Sequence, residues 1–406
     1  MERMMASPLD DKTRAIVSAC VPALEAHGLA ITTEMYRRLL ANPEIRDLFN
    51  LSHQKDGEQP TALALAVLAY ARNIDNPGAL GGMVERIAEK HVGLNIRAEH
   101  YPFVAEALLG AIAHVLGDAA TPEILDAWGK AYWFLADILI GREAQIYDAH
   151  AAAPGGWTGW RPFTVRRRTR ESETVTSFEL VPVDGAPVMR HRPGQYLSFR
   201  LDVPGLGSQR RNYSISSKPD DGSYRISVRR IPGGAVSGWL HDDVREGTVL
   251  QVSAPAGDFT LADPLPPAIV LLSAGVGLTP MISMLDALAA RADAPSIHYI
   301  HATRTPDTEA FGRHVRRLAA EGRIRGDVFY SRRAPADGED AGTAHHTGRM
   351  TMDWLRANLA ADATYYVCGP DGFMRDAVST LKAAGVPAGR VRHEFFGSAH
   401  DGALVM

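Results

Sequence analysis

The 406 residues, at roughly 150 per domain, imply two or three domains, because one core rarely grows beyond about 250–300 residues. Apolar residues make up 46% and charged residues 22%, which excludes disorder, collagen and a coiled coil. With 43 Lys and Arg against 47 Asp and Glu the formal net charge is −4, so no global basic field holds nucleic acid. Two cysteines, Cys20 and Cys368, exclude a disulfide-framed scaffold and a cysteine-ligated metal cluster. The longest unbroken apolar stretch, 62–71, is ten residues, short of the roughly 20 a transmembrane helix needs. The first residues carry no apolar signal-peptide core. A reducing, cytoplasmic setting and a monomer are the expectations.

Residues 1–150 read as helices. Thr32, Met35, Tyr36, Leu39 and Leu40 fall on one stripe at three- and four-residue spacing. Thr121-Pro122-Glu123 opens a helix with a hydroxyl N-cap, a proline at the first position and an early acid. Ile124, Leu125, Trp128, Tyr132, Leu135 and Leu139 form its inward face. An all-α domain is expected, followed by a Gly/Pro linker at 151–159.

Residues 160–265 read as strands. The segments starting at Phe163, Val175, Tyr196 and Tyr224 alternate apolar with polar, and turns such as Asp184-Gly185 and Asp221-Gly222 separate several of them. Short strands without intervening helices predict an antiparallel barrel. From 266 to 398 strands and helices alternate. Strands are expected at 268–273, 297–300, 328–331 and 365–368, with helices after the first glycine turn, from about 308, near 351–359 and near 371–384. That alternation predicts a doubly wound parallel sheet. Residues 399–406 read as a tail.

Three constellations carry chemistry. In the first, Met83, Val84, Ile87, Ala88 and His91 share a helical stripe, so His91 ends an apolar face. A lone His there suits a satisfied core position as well as a metal ligand. Tyr36 also sits on an apolar stripe, and a buried phenol needs a partner. The stretches Asn42-Pro-Glu-Ile-Arg-Asp-Leu-Phe-Asn, Ala88-Glu-Lys-His and Leu125-Asp-Ala-Trp-Gly-Lys-Ala-Tyr resemble the globin domain of flavohaemoglobins. The resemblance implies haem b held by His91, with Phe49 packed on the macrocycle. It places Tyr36, Gln59 and Leu63 on the distal side. It also implies that His91 is hydrogen-bonded to Glu143, itself paired to Tyr101, which gives the ligand imidazolate character and favours oxygen activation over storage.

In the second constellation, Arg211-Asn212-Tyr213-Ser214 follows Arg192-Pro-Gly-Gln-Tyr196. Strand alternation puts Arg211 and Tyr213 on one face. A guanidinium clamps phosphate while a phenol ring packs on a planar ligand, and Ser214 can donate to a ring nitrogen. These residues look like the flavin site of the ferredoxin–NADP reductase superfamily. Gly233-Gly234-Ala-Val236-Ser237 would then meet the FAD diphosphate through backbone N–H groups. Taken alone, the same glycines also fit a simple hairpin turn.

The third constellation follows the strand Ala268–Ser273. Gly275-Val276-Gly277-Leu278-Thr279-Pro280 turns into a helix, with Thr279 read as the N-cap and Pro280 as the first helical residue. The glycines would let a diphosphate approach the positive helix end. Cys368-Gly369-Pro370 lies about 90 residues on, at the end of a later strand, and such sheets bind ligands at strand carboxyl ends. The pair resembles the nicotinamide-nucleotide domain of the same superfamily. Cys368 is then a nicotinamide contact, with a buried structural cysteine as the alternative. Ser331 and Arg332 can receive a 2′-phosphate, or form part of a solvated surface.

The chain ends in His393-Glu394-Phe395-Phe396-Gly397-Ser398. In flavohaemoglobins the matching acid and aromatic segment return to the flavin, with Glu394 facing Lys90. The family usually reads Cys-Phe-Gly-Pro where this chain has Phe395 to Ser398, and commonly Gln where it has Leu278. The resemblance runs from about residue 8 to 398. It implies an enzyme in which NAD(P)H reduces FAD, FAD reduces haem, and dioxygen and nitric oxide are converted to nitrate. Two other readings stay open: an oxygen carrier or sensor with a maintenance reductase, and an NAD(P)H-dependent flavin or ferric reductase.

Overall fold

The computed structural model describes residues 8–46, 48, 58–335 and 342–396, the side chains of 44, 58, 59, 62 and 77 excepted. The described chain divides into two compact units between Ala153 and Pro154, with Leu206–Arg211 falling with the first.

The amino-terminal unit contains α1 (Asp11–Ala19), α2 (Val21–Leu39), α3 (Pro43–Arg46), α4 (Glu58–Arg72), α5 (Gly81–Gly93), α6 (Tyr101–Leu116) and α7 (Pro122–Ala152). Helix α2 packs on α4 and α6, and α7 packs on α1 and α5. The expected Tyr36 stripe is this packing face: Thr32, Met35 and Leu39 are buried, and Thr32 donates from its hydroxyl to the Pro60 carbonyl at 2.8 Å. Tyr70 ties α4 to α7 by donating to the Ala131 carbonyl at 2.8 Å. Thr121 caps α7 as expected, accepting from Ile124 N–H at 3.3 Å. The helix runs to Ala152, so the first two alanines of the expected linker are helical. Alanine is the best helix former, and the first breaker is Pro154. The stretch Ala98–Ala119 is long and apolar enough to cross a membrane by composition. One face of it is packed inside the unit, with Tyr101, Ala105, Leu108, Ala111 and Ile112 buried.

After the amino-terminal unit come β1 (Arg161–Arg170), β2 (Val175–Pro182), β3 (Tyr196–Val203), β4 (Gly207–Ser214, the part up to Arg211 falling with the first unit), β5 (Tyr224–Arg229), α8 (Ala235–Asp242) and β6 (Val249–Val252). The strands lie in the order β4-β3-β6-β1-β2-β5, and an Ile215–Ile226 bridge links the two outer strands. Phe163, Phe178, Leu197, Phe199, Tyr224 and Ile226 fill the interior, and Val236 and Leu240 of α8 pack into it.

A second sheet follows, with β7 (Ala268–Ala274), α9 (Leu278–Ala289), β8 (Ser296–Thr303), α10 (Gly312–Ala320), β9 (Arg325–Tyr330), β10 (Ala344–Thr347), α11 (Met352–Ala357), β11 (Ala363–Cys368), α12 (Asp371–Ala383) and β12 (Val391–Glu394). All pairings are parallel, in the order β10-β9-β8-β7-β11-β12. The order reverses between β7 and β11, and ligands of such sheets bind in the crevice beyond that point.

Three expectations need correction here. The helix expected from 308 starts at Gly312, because Pro306–Thr308 form a 3₁₀ turn and Phe311 sits at φ 60°. Strands β10 and β12 were not expected, being four residues each without apolar alternation. Thr279 is not an N-cap. A 3₁₀ turn at Gly275–Gly277 runs straight into α9, Gly277 is the cap, and the Thr279 hydroxyl donates back to the Val276 carbonyl at 3.1 Å. Pro280 is therefore the third helical residue rather than the first, still within the first turn, where no intrahelical N–H is lost.

Candidate active site

The helical unit brings His91, Tyr101 and Glu143 together from three helices. Helix α5 ends just past His91. Asn95 takes a left-handed conformation at φ 60°, which Asn tolerates, and Ile96 N–H donates to the His91 carbonyl at 2.9 Å. This turn returns the chain to Tyr101, the first residue of α6. Glu143 projects from the middle of α7 with its side chain only 3% exposed. His91 Nδ1 lies 2.7 Å from Glu143 Oε1, and the Tyr101 hydroxyl donates to the same oxygen at 2.5 Å. Burial, then the charge and the hydrogen bond of Glu143, push the Tyr101 phenol well up, so it stays protonated and donates. An ionised carboxylate only accepts, so His91 Nδ1 carries the proton in this arrangement.

Among the described residues His91 Nε2 has no hydrogen-bond partner, and the side chain is 31% exposed. One fixed ring nitrogen and one open one is the donor set a haem iron takes from histidine. Lys90 precedes it on the exposed side. Tyr36 of α2 and Leu63, Val67 and Leu68 of α4 are partly buried and pack against the unit's main core cluster. Burial pushes the Tyr36 phenol up to about 12, so it remains a neutral donor. Phe49, Gly397, Ser398 and the Gln59 side chain lie outside the described residues.

Two further tyrosines buttress the triad. Tyr132 donates to the Tyr101 carbonyl and Tyr147 to the Ile96 carbonyl, each at 2.7 Å. The Arg97 guanidinium covers the Tyr147 ring at 4.2 Å. Tyr132 was legible only as a core aromatic, because its partner is a backbone carbonyl 31 residues away.

In the barrel, β4 carries Arg211, Asn212, Tyr213 and Ser214. Arg211 and Tyr213 share one half-exposed face, Asn212 is exposed and Ser214 is buried. The Tyr213 ring stands edge-on to Phe199 at 5.6 Å. Ser214 makes no side-chain hydrogen bond among the described residues, which suits a ligand donor. Tyr196 of β3 is buried. Its ring lies against Gly257, where a Cβ would come within 2.9 Å. Gly233, at φ 72°, and Gly234 lead into α8. Val236 and Ser237 turn their side chains inward, and Ser237 Oγ accepts from Ile231 N–H at 3.1 Å. What this turn offers a phosphate is backbone.

At the strand ends of the parallel sheet, the Gly275–Pro280 and Cys368–Pro370 turns touch. A Cβ on Gly277 would meet the Cys368 carbonyl oxygen at 2.3 Å and the Gly369 nitrogen at 2.7 Å, and one on Gly369 would meet Ala274 at 3.1 Å. Gly277 is thus required by the neighbouring turn rather than by a ligand's approach. Leu278 is 2% exposed in the core formed by α9, which accounts for an apolar residue there. Cys368 is fully buried in the same core, and burial pushes its thiol well up. The sulfur is enclosed, as the structural alternative has it, and the exposed part of this turn is Pro370. Parallel register sets Cys368 beside Glu394. Phe395 is buried, Phe396 is 43% exposed, and Ser331 and Arg332 are exposed past β9.

Three family models match in this order: Globin over residues 33–139, Oxidoreductase FAD-binding domain over 162–261 and Oxidoreductase NAD-binding domain over 271–379. A flavohemoprotein of Xylella fastidiosa strain Temecula1 is 47% identical over 395 residues, covering 97% of this chain and 98% of that protein. The chain belongs to the flavohemoprotein family. A flavohemoprotein of Bordetella pertussis is 48% identical, covering 96% and 99%. The solved flavohemoglobin of Malassezia yamatoensis, described with bound FAD and heme, is 29% identical with a TM-score of 0.85, covering 96% of this chain and all of that one. The FAD/NAD-binding domain of a nitric oxide dioxygenase from Vibrio cholerae is 35% identical with a TM-score of 0.52, covering 58% of this chain and 98% of that domain. The family's three-part fold is present: a globin helical domain, an antiparallel FAD barrel and a parallel NAD-binding sheet. Haem, FAD and NAD(P)H are the cofactors that go with it.

Proposed function

We propose that this flavohemoprotein is an NAD(P)H-dependent nitric oxide dioxygenase that detoxifies nitric oxide. The observation that carries the reading is the convergence of His91 and Tyr101 on the buried Glu143 carboxylate. When bound, NAD(P)H supplies electron pairs, FAD divides them, and haem iron takes them singly for the conversion of dioxygen and nitric oxide to nitrate. Glu143 makes His91 a stronger electron donor than a carbonyl partner would, which suits oxygen activation better than storage. Tyr101 holds Glu143 in the orientation that reaches Nδ1.

The remaining residues follow from that reading. Tyr36, Gln59, Leu63 and Phe49 are the residues that would line a bound haem, Tyr36 and Gln59 as hydrogen-bond donors. Arg211, Asn212, Tyr213, Ser214 and Tyr196 hold FAD with the backbone of 233–237. The Gly275 turn, the Cys368-Gly369-Pro370 turn, Ser331 and Arg332 take the dinucleotide. Phe395 to Ser398 would contribute to the flavin site. Lys90, next to the iron ligand, and Glu394, next to Cys368, tune their respective cofactors. The working divisions are 1–150 for haem, 151–159 as linker, 160–265 for FAD, 266–398 for NAD(P)H and 399–406 as tail. Two free cysteines suit a reducing, cytoplasmic setting, and the reading takes the protein as a monomer with dioxygen and nitric oxide as its substrates.

The test is the visible spectrum of the purified protein before and after anaerobic NAD(P)H, followed by aerobic nitric oxide consumption with nitrate measured. A Soret band that shifts as flavin bleaches, with nitrate formed one-for-one, is expected. Flavin bleaching with no haem band after haem is supplied would leave a reductase. Haem reduction without nitrate formation would leave an oxygen carrier.

A further inference from the structure

The barrel and the parallel sheet of the carboxyl-terminal unit meet along a polar seam. His191, in the loop before β3, is 3% exposed, and Ser283, in the middle of α9, is fully buried. Their common partner is the backbone carbonyl of Ser217, just past β4. The Ser283 hydroxyl donates to it at 2.7 Å, and His191 Nε2 lies 3.0 Å from the same oxygen and 3.2 Å from Ser283 Oγ. A carbonyl only accepts, so Nε2 carries the proton and the three groups close a small ring of hydrogen bonds. Burial pushes the imidazole down to about 4, so it stays neutral and keeps this tautomer.

Each partner belongs to a segment that carries ligand contacts. His191 shortly precedes Tyr196, Ser217 shortly follows Ser214, and Ser283 lies in the helix that the Gly275 turn opens. Ser283 is less than two turns past Gly277, about 9 Å along the axis. The same loop touches α9 again at Gly194, where a Cβ would come within 2.5 Å of the Met284 methyl carbon. Next to it, Arg225 of β5 donates to the Ser216 carbonyl and faces Asp286 of α9 at 3.8 Å.

His191 Nδ1 is buried with no hydrogen-bond partner among the described residues. Apolar groups of the same shape in place of both partners would fill the space at little cost and without that unpaired lone pair. They would not supply direction. Apolar surfaces slide, whereas a hydrogen bond weakens steeply with angle. The seam therefore specifies one setting of α9 against the barrel more than it adds cohesion.

We propose that His191 is a positioning residue for electron transfer from NAD(P)H to FAD. With Ser283 it fixes α9, which carries the dinucleotide turn, against the segments that carry the flavin contacts, and so sets how a bound dinucleotide meets a bound flavin. This rests on reading the barrel as the flavin site and the Gly275 turn as the dinucleotide site. A misplacement of about 1 Å, caused by a change far from the chemistry, can cost about a hundredfold in rate.

The test uses the anaerobic holoprotein. Flavin bleaching by NADH in rapid mixing gives a limiting rate and a dissociation constant. NAD⁺ added to the photoreduced protein gives a long-wavelength charge-transfer absorbance, an equilibrium measure of ring stacking that needs no turnover. Ser283→Ala and His191→Phe are each expected to lower the limiting rate about tenfold or more and to weaken the absorbance, with the dissociation constant nearly unchanged. His191→Gln, whose amide N–H reaches the position of Nε2, is expected to restore most of both. Ser283→Ala removes one atom from a helix interior where alanine is favoured, so it decides the matter even where His191→Phe fails to fold. Unchanged rate and absorbance in Ser283→Ala would overturn the proposal. A weaker dissociation constant at an unchanged limiting rate would overturn it too, leaving the seam a part of binding alone. His191→Gln no better than a folded His191→Phe would reduce the seam to packing and overturn it as well. If NADH does not bleach the flavin of the unaltered protein, the reading of the two sites fails, and the proposal with it.

Discussion

The two best-defined sites are assembled in opposite ways. His91, Tyr101 and Glu143 meet through side-chain atoms, with two donors converging on one carboxylate oxygen. Gly277 and Cys368 meet through backbone, with no space for a side chain between them. In the first, a single atom can be exchanged while packing is kept, so the chemistry is adjustable independently of the fold. In the second, the ligand-facing turns are part of the fold, and any added atom must move a strand.

The comparison is broken most severely at Glu143. Glu143→Gln keeps the volume and an acceptor for Tyr101 but removes the charge from His91 Nδ1. Second-layer partners of this kind are worth about 10–100-fold, and nitric oxide turnover should fall by that much. The iron–histidine stretching frequency of the ferrous protein should fall with it, while Tm changes little. An unchanged stretching frequency would show that the carboxylate charge does not reach the iron ligand.

Gly277→Ala tests the other side. Its Cβ would lie 2.3 Å from the Cys368 oxygen and 2.5 Å from its carbonyl carbon, and overpacking of this sort costs about 1–3 kcal/mol. Thermal unfolding of the flavin-containing unit should shift down and dinucleotide affinity should weaken together. Gly238→Ala, inside α8 with nothing within 4 Å, is the matched control. It should hold or gain stability, since alanine is favoured over glycine by up to ~1 kcal/mol in a helix. A Gly277→Ala protein as stable as that control would mean the two turns are not locked together.

The sequence made the elements that bury apolar stripes legible, and with them the order of the parts. The α2 stripe, the Thr121 cap and strand β7 needed only local periodicity and capping chemistry. Strands β10 and β12 were illegible because Ala344–Thr347 and Val391–Glu394 pair at or near a sheet edge and carry no alternation. His91, Glu143 and Tyr101 were found through the resemblance, since nothing in spacing says that residues 52 apart share a hydrogen bond. The reason for Gly277 was hidden for the same cause: its partner is the backbone of Cys368. Thr279 looked like a cap because the 3₁₀ turn before it has no sequence mark.

The smallest expected effect separates support from tuning within the helical unit. Tyr132 donates to the Tyr101 carbonyl but touches neither Glu143 nor His91 by hydrogen bond. Its own phenol is held up by burial and by the Glu143 charge, so it is a donor at any working pH. Tyr132→Phe removes one neutral hydrogen bond between α7 and the first residue of α6, worth about 0.5–1.5 kcal/mol. Denaturant unfolding of the helical unit should register that loss, while the iron–histidine frequency stays near its unaltered value. Were the frequency to move as far as in Glu143→Gln, the tyrosine would be positioning Tyr101 against the carboxylate. The tunable part of the site would then extend from side-chain atoms into the backbone of α6, and the contrast between the two sites would narrow.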